Sequence, residues 1–100
     1  MYDMNNMKKL KKFGELAPAA WQGFLAFDKA ALADGVIPAR TKELMALAVA
    51  MTTQCPYCIE IHGKRAKEAG CSEAEIAETV LVAAALRAGA AVTHGTHCLA

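Results

Sequence analysis

Three prolines and seven glycines cut this 100-residue chain into pieces of helix length, and between them no useful stretch alternates apolar with polar residues as a half-buried strand would. That punctuation points to an all-α fold, a compact domain of about five to six helices. A first helix is expected over 7–16, stopped by Pro18, because proline disfavours helical geometry in the residue before it. A second, over 19–32, sets Trp21, Phe24, Leu25 and Phe27 toward one side and ends at Asp34-Gly35. A third, over 39–53, opens with Arg40, Lys42 and Glu43 and is almost wholly apolar from Leu44 to Met51, which is the pattern of a central helix. Pro56 suits the first turn of a fourth, where its missing N–H would have had no partner, and Gly70 suits its C-terminal stop. Ser72 followed by Glu75 is a capping-box pattern that opens a fifth helix toward residue 92. The apolar run from Val80 to Val92, interrupted by Arg87, falls short of the roughly 20 residues of a bilayer span and reads as a buried helix. Residues 93–98 read as an irregular tail.

A chain of this length fills one core, so residues 1–100 are taken as a single domain. Hydrophobic residues make up 55% of it, against about 45–50% in ordinary globular chains. So small a monomer cannot hide that much apolar surface, and a homo-oligomer is expected. Eleven basic residues against ten acidic ones provide no general attraction for nucleic acid or an anionic membrane. The cluster Lys8, Lys9, Lys11 and Lys12 reads as a solvated helix face. Residues 1–6 have no apolar segment of the secretory kind, and a cytoplasmic location is expected. In a reducing compartment four cysteines argue for redox or metal chemistry rather than a disulfide framework.

The chemistry concentrates in Cys55-Pro56-Tyr57-Cys58. Its two sulfurs are three residues apart at a helix start, close enough to pass between dithiol and disulfide, and the helix N-terminus lowers a thiol pKa there. His62 lies one helical turn beyond Cys58 on the same face, in position to accept or return a thiol proton. Glu43 precedes Cys55 by twelve residues. In an antiparallel hairpin it falls about level with residue 66, one turn from His62, a gap that a glutamate side chain and one water would span. Two other readings stand beside this one. In an oligomeric binding module Cys55, Cys58 and His62 could supply three metal ligands, with Cys71, His94, His97 or Cys98 as a fourth, or hold a small ligand. Alternatively the thiols are incidental to an assembly protein. Cys71 and Cys98, without neighbours in sequence, read as small apolar side chains, and Glu60 as a solvated carboxylate.

Taken together, Glu43, Cys55, Cys58 and His62 form the pattern Glu-x11-Cys-x-x-Cys-x3-His, which resembles the alkylhydroperoxidase AhpD-like branch of the carboxymuconolactone decarboxylase family. The resemblance runs over about residues 34–92. It implies an all-helical homotrimer or homohexamer acting as an antioxidant oxidoreductase without metal or organic cofactor. The cysteine pair of such a peroxidase reduces a hydroperoxide, and an external dithiol of lipoyl or thioredoxin type resets the disulfide. Carried onto this chain, Cys58 becomes the attacking thiol, Cys55 the resolving one, and His62 with Glu43 the proton relay; the reverse order of the two sulfurs stays open. Tyr57 stands where better-known peroxidase members carry histidine. Lactone decarboxylases of the family lack the cysteine pair, so its presence weighs against decarboxylation.

Overall fold

The computed structural model describes residues 2–100, which form five α-helices and two short 3-10 helices, with no strand among the described residues. The helices are α1 (Lys11–Leu16), α2 (Pro18–Leu32), α3 (Ala39–Thr53), α4 (Pro56–Glu68) and α5 (Glu73–Gly95). The all-α expectation holds. Contacts divide the chain into two compact units, Met1–Ala39 and Arg40–Ala100, and every residue of the four-residue pattern lies in the second.

In the first unit, the stretch Met4–Leu10 is a 3-10 helix rather than the beginning of an α-helix. Asp3 caps it, accepting from Asn5 N at 2.9 Å, while Asn6 N donates to Asp3 O at 2.8 Å. Such local bonds compete with α-helical geometry, and asparagine is a poor helix former. Ala17, ahead of Pro18, leaves helical geometry at φ −143°, ψ 67°, and the proline occupies the first turn of α2. Trp21 stacks between Phe13 and Phe24, with ring centroids 5.4 and 5.5 Å away. A side chain on Gly14 would lie 3.0 Å from Trp21 Cδ1, so the absence of one there admits the indole.

The second unit is built on a very short α3–α4 connection, Gln54-Cys55. Gln54 is left-handed at φ 55°, and Cys55 N reaches back to Ala50 O at 3.1 Å, closing the end of α3 as a Schellman-type cap. α4 ends in the same way. Gly70 has φ 88°, Gly70 N donates to Lys67 O at 3.0 Å and Cys71 N to Ala66 O at 2.9 Å. The core that results is small: Leu47, Ala66 and Cys71 are buried together, with Leu44, Met51 and Ile76 packed against them. Burying a leucine such as Leu47 contributes about 1.5–3 kcal/mol. 

Two burial expectations are corrected. In α3 only Leu47 and Ala50 are buried, whereas Met45 and Val49 are exposed. In α5 only Ala83 is buried, and Leu81, Val82, Leu86 and Val92 are exposed. A helix apolar on all sides needs partners on all sides, and the second unit has only three α-helices to offer. The tail is ordered too. α5 continues to Gly95 and passes into a 3-10 turn, Thr96–Cys98. His94 Nδ1 contacts Ala90 O at 2.9 Å and Thr96 Oγ1 donates to Thr93 O at 2.7 Å, so these polar side chains bond to the preceding turn instead of breaking the helix. By length and composition alone, Glu73–Cys98 would suffice to cross a membrane, with a mean hydropathy of 1.5 in its best window.

A polar clamp ties the start of α3 to the α4–α5 junction. Arg40 Nη2 donates to Glu75 Oε1 at 2.6 Å and to Gly70 O at 3.2 Å. The same Glu75 oxygen accepts Ser72 N at 3.0 Å, and Glu75 N donates to Ser72 Oγ at 3.1 Å, completing the capping box read from the sequence. The Arg40 guanidinium, followed by the Ser72 N–H, holds the Glu75 carboxyl at about 2, below its ordinary 4.5. A carboxyl depressed on folding stabilises the fold above its unfolded pKa, and that contribution fades as pH falls through the folded value. Glu75→Gln keeps a capping side chain but loses the ion pair. Its urea midpoint is therefore expected below wild type at neutral pH, the difference closing as pH falls from about 4.5 toward about 2. A difference that stays constant across that range would show that the ion pair is not its source.

Candidate active site

Cys55 belongs to two helices at once: its N–H closes the cap of α3 and its side chain caps α4. Its backbone is extended, at φ −93°, ψ 100°, and its Sγ accepts Cys58 N at 3.3 Å. The helix start brings Cys58 Sγ to 2.6 Å from Cys55 Sγ, close to bonding distance, and both thiols are free and partly buried. One proton between two such sulfurs must rest mainly on one of them, and the N–H groups of the first turn decide which. Cys55 is held below the ordinary thiol value by the Cys58 thiol, then by the backbone N–H groups of Cys58 and Tyr57. Cys58 is pushed up to about 11 by its bond with Cys55 and by burial. The Cys58 N–H on Cys55 Sγ thus favours negative charge on Cys55.

Across the hairpin, His62 Nδ1 lies 2.6 Å from Glu43 Oε2, with the two side chains only 16% and 13% exposed. No bridging water is needed. Four residues of offset amount to about 6 Å along a helix axis, which the two side chains together can reach across. A carboxylate can only accept, so Nδ1 carries the shared hydrogen and the bond orients the ring. The structure thus assembles two couples, Cys55 with Cys58 and Glu43 with His62, the second carried on the helices that flank the first.

The remaining candidates lie elsewhere. Cys71 is buried in the core, its Sγ 3.9 Å from Arg40 O. Cys98 is exposed in the C-terminal 3-10 turn, and the His94 and His97 rings stand 6.0 Å apart near that end. Among the described residues no three His, Cys, Asp or Glu side chains are grouped so as to hold a metal ion. Sequence reasoning passed over Gln54. The available signal was a chain reversal between two helices with no glycine to take the left-handed residue.

Residues 18–100 match the carboxymuconolactone decarboxylase family. The chain belongs to that family. Its relatives include "Uncharacterized protein 4 in cox locus" of Paracoccus denitrificans, 44% identical over 100% of this chain and 93% of the relative. An uncharacterized protein of Haemophilus influenzae is 47% identical over 56% of this chain and 52% of its own length. Among solved structures, a Methanobacterium thermoautotrophicum protein superposes with a TM-score of 0.82 at 33% identity, covering 88% of this chain and 99% of that one. A carboxymuconolactone decarboxylase family protein from Legionella pneumophila, in its apo form, gives 0.76 at 33% identity, covering 82% and 73%. Within the family the close cysteine pair fits the C-x-x-C branch.

The acidity of the pair can be read directly. Alkylation of the reduced protein by iodoacetamide is expected to follow a first thiolate, Cys55, titrating below the ordinary thiol value, and a second, Cys58, near 11. Cys58→Ala removes the main cause of the depression, so the Cys55 midpoint should rise while staying below that of a free thiol, since N–H donors remain. Mass mapping that finds Cys58 modified first in the wild type would reverse the assignment.

Proposed function

We propose that this family member is a thiol-dependent peroxidase and disulfide oxidoreductase that reduces hydroperoxides through a Cys55–Cys58 dithiol–disulfide cycle, served by His62 and Glu43. The observation that carries the reading is the pair of free sulfurs 2.6 Å apart at the start of α4. The acidic thiolate, Cys55, attacks the terminal oxygen of the hydroperoxide; the O–O bond breaks, an alcohol leaves after protonation, and Cys55 becomes a sulfenic acid. Cys58, whose thiol is weakly acidic, needs a base to attack in turn. His62, held by Glu43, takes that proton, Cys58 displaces the sulfenic hydroxyl, and water departs as the disulfide forms. An external dithiol, of lipoyl or thioredoxin type, returns two electrons and two protons. Relative to the roles implied by the resemblance, the two cysteines exchange places, and the histidine keeps its task of deprotonating Cys58.

One equivalent of an organic hydroperoxide added to reduced protein is expected to consume two thiols and leave a Cys55–Cys58 disulfide. Cys55→Ser should lose the fast reaction, and Cys58→Ser should leave a sulfenic acid on Cys55 that dimedone traps. His62→Ala should slow disulfide formation by about 10²-fold or more. Full turnover in both cysteine variants would end this reading, and stoichiometric zinc bound through the same residues would replace it with the ligand reading.

The exposed apolar residues of α3 and α5 support self-association, which we propose to be the trimer or hexamer that the resemblance implies, in the cytoplasm. Arg87, in the middle of α5, would cost about 2.5–3.5 kcal/mol at a bilayer centre and favours burial against other subunits over insertion in a membrane. Light scattering should return a multiple of 10.6 kDa, and Val82→Glu with Leu86→Glu should lower it. A monomeric wild type would exclude the association.

A further inference from the structure

The end of α5 brings together the two histidines that the cysteine site does not use. His94 lies in the last turn of α5 and His97 three residues on, in the 3-10 turn Thr96–Cys98, and both are exposed. Residues three apart eclipse one another in 3-10 geometry, so the two rings leave the chain on the same side. Their centroids are 6.0 Å apart and their planes are tilted by 47° rather than stacked. Metal–nitrogen bonds of about 2.0–2.1 Å hold two imidazoles of one ion with centroids roughly 4.5–6.5 Å apart, depending on the angle at the metal. The observed spacing lies inside that range. His94 Nδ1 lies 2.9 Å from Ala90 O, and a carbonyl only accepts, so Nδ1 carries the hydrogen and in the neutral ring Nε2 holds the lone pair. Metal-ligating histidines use this arrangement: a backbone carbonyl fixes the tautomer and turns the ring, and the other nitrogen binds. The C-terminal end of a helix also favours positive charge.

We infer that His94 and His97 form a two-histidine chelate for a borderline divalent transition-metal ion of the nickel, copper and zinc class. Neutral imidazoles suit those ions, whereas Mg2+ and Ca2+ take oxygen ligands. No third His, Cys, Asp or Glu is grouped with the pair among the described residues, so water fills the remaining positions at the ion. Binding exchanges two metal–water bonds for two metal–nitrogen bonds, with no change of oxidation state. None of these atoms belongs to the Cys55–Cys58 or Glu43–His62 couple, and the inference does not rest on the peroxidase reading. An ion held there ties the last turn of α5 to the 3-10 turn. Once one ring has bound, the second meets the ion at a high effective concentration, which an unfolded chain with its rings free to separate does not provide.

The test uses the full untagged chain, with its thiols kept reduced and Ni2+ as the probe. The chain has three histidines, so its imidazole proton signals are few enough to follow one by one. Substoichiometric Ni2+, which is paramagnetic, should broaden the His94 and His97 signals together and before those of His62. Calorimetry should find one ion per chain, and His94→Ala and His97→Ala should each weaken its affinity by at least about tenfold, because either change breaks the chelate. Ni2+ should raise the thermal midpoint of the wild type and leave that of either variant unmoved, the sign of an ion bound to the folded helix end. Broadening of His62 first, or of all three rings alike, overturns the inference. So does a histidine variant with unchanged affinity, since each ring would then bind alone. Binding that survives both histidine variants and is lost in Cys55→Ser would assign the ion to the cysteine pair and overturn it as well.

Discussion

The arrangement depends on a chain reversal made in two residues. At the end of α3 one left-handed residue turns the backbone, and the next, Cys55, satisfies an orphan carbonyl behind it with its N–H and an orphan N–H ahead of it with its sulfur. A longer loop would satisfy those groups with water and leave the cysteine free to move. Here the sulfur is fixed by the backbone groups that two helices must satisfy in any case. Pro56 completes the arrangement by starting α4 at once without adding another N–H.

From that reversal the electrostatics follow. A helix N-terminus favours negative charge, but it favours it at the atom facing the N–H groups, and that atom is Cys55 Sγ. Cys58, one turn in, has its sulfur against a partner that prefers to be charged, so its own proton is held more tightly. Two identical side chains thereby acquire opposite chemical tendencies from position alone. The proposed cycle, with a nucleophile and a resolving thiol, would draw on that division.

Much of this was legible in the residues. Pro18, Pro56, Gly70 and the Ser72–Glu75 pair placed helix boundaries that the structure reproduces, because each acts through local sterics or a local hydrogen bond. The spacing of Cys55, Cys58 and His62 followed from helical periodicity once Pro56 had fixed where α4 begins. The direct Glu43–His62 contact did not follow, since it depends on how two helices lie against each other, which no local rule supplies. Burial was misjudged for a related reason: apolar sequence reports what seeks cover, and the cover for α5 is missing from the chain's own three-helix unit. The 3-10 start and the helical tail were missed where aspartate, threonine and histidine side chains bond to nearby backbone, a choice that composition alone does not decide.

The clamp at Arg40 and the reversal at Gln54 act on opposite ends of α3, and Glu43 sits one turn from the first. If α3 were anchored only at its C-terminus, small rotations there would be amplified along its length and Glu43 would sweep past His62. Anchoring its first turn to Gly70 O and Glu75 removes that freedom, so the carboxylate meets the imidazole at a fixed place. Because the clamp also takes in the capping box of α5, one carboxylate, Glu75, joins the start of α3 to the cap of α5. Its effect lies in fixing the turn that carries Glu43, so a carboxylate remote in sequence from the cysteines is held to one hydrogen bond with His62.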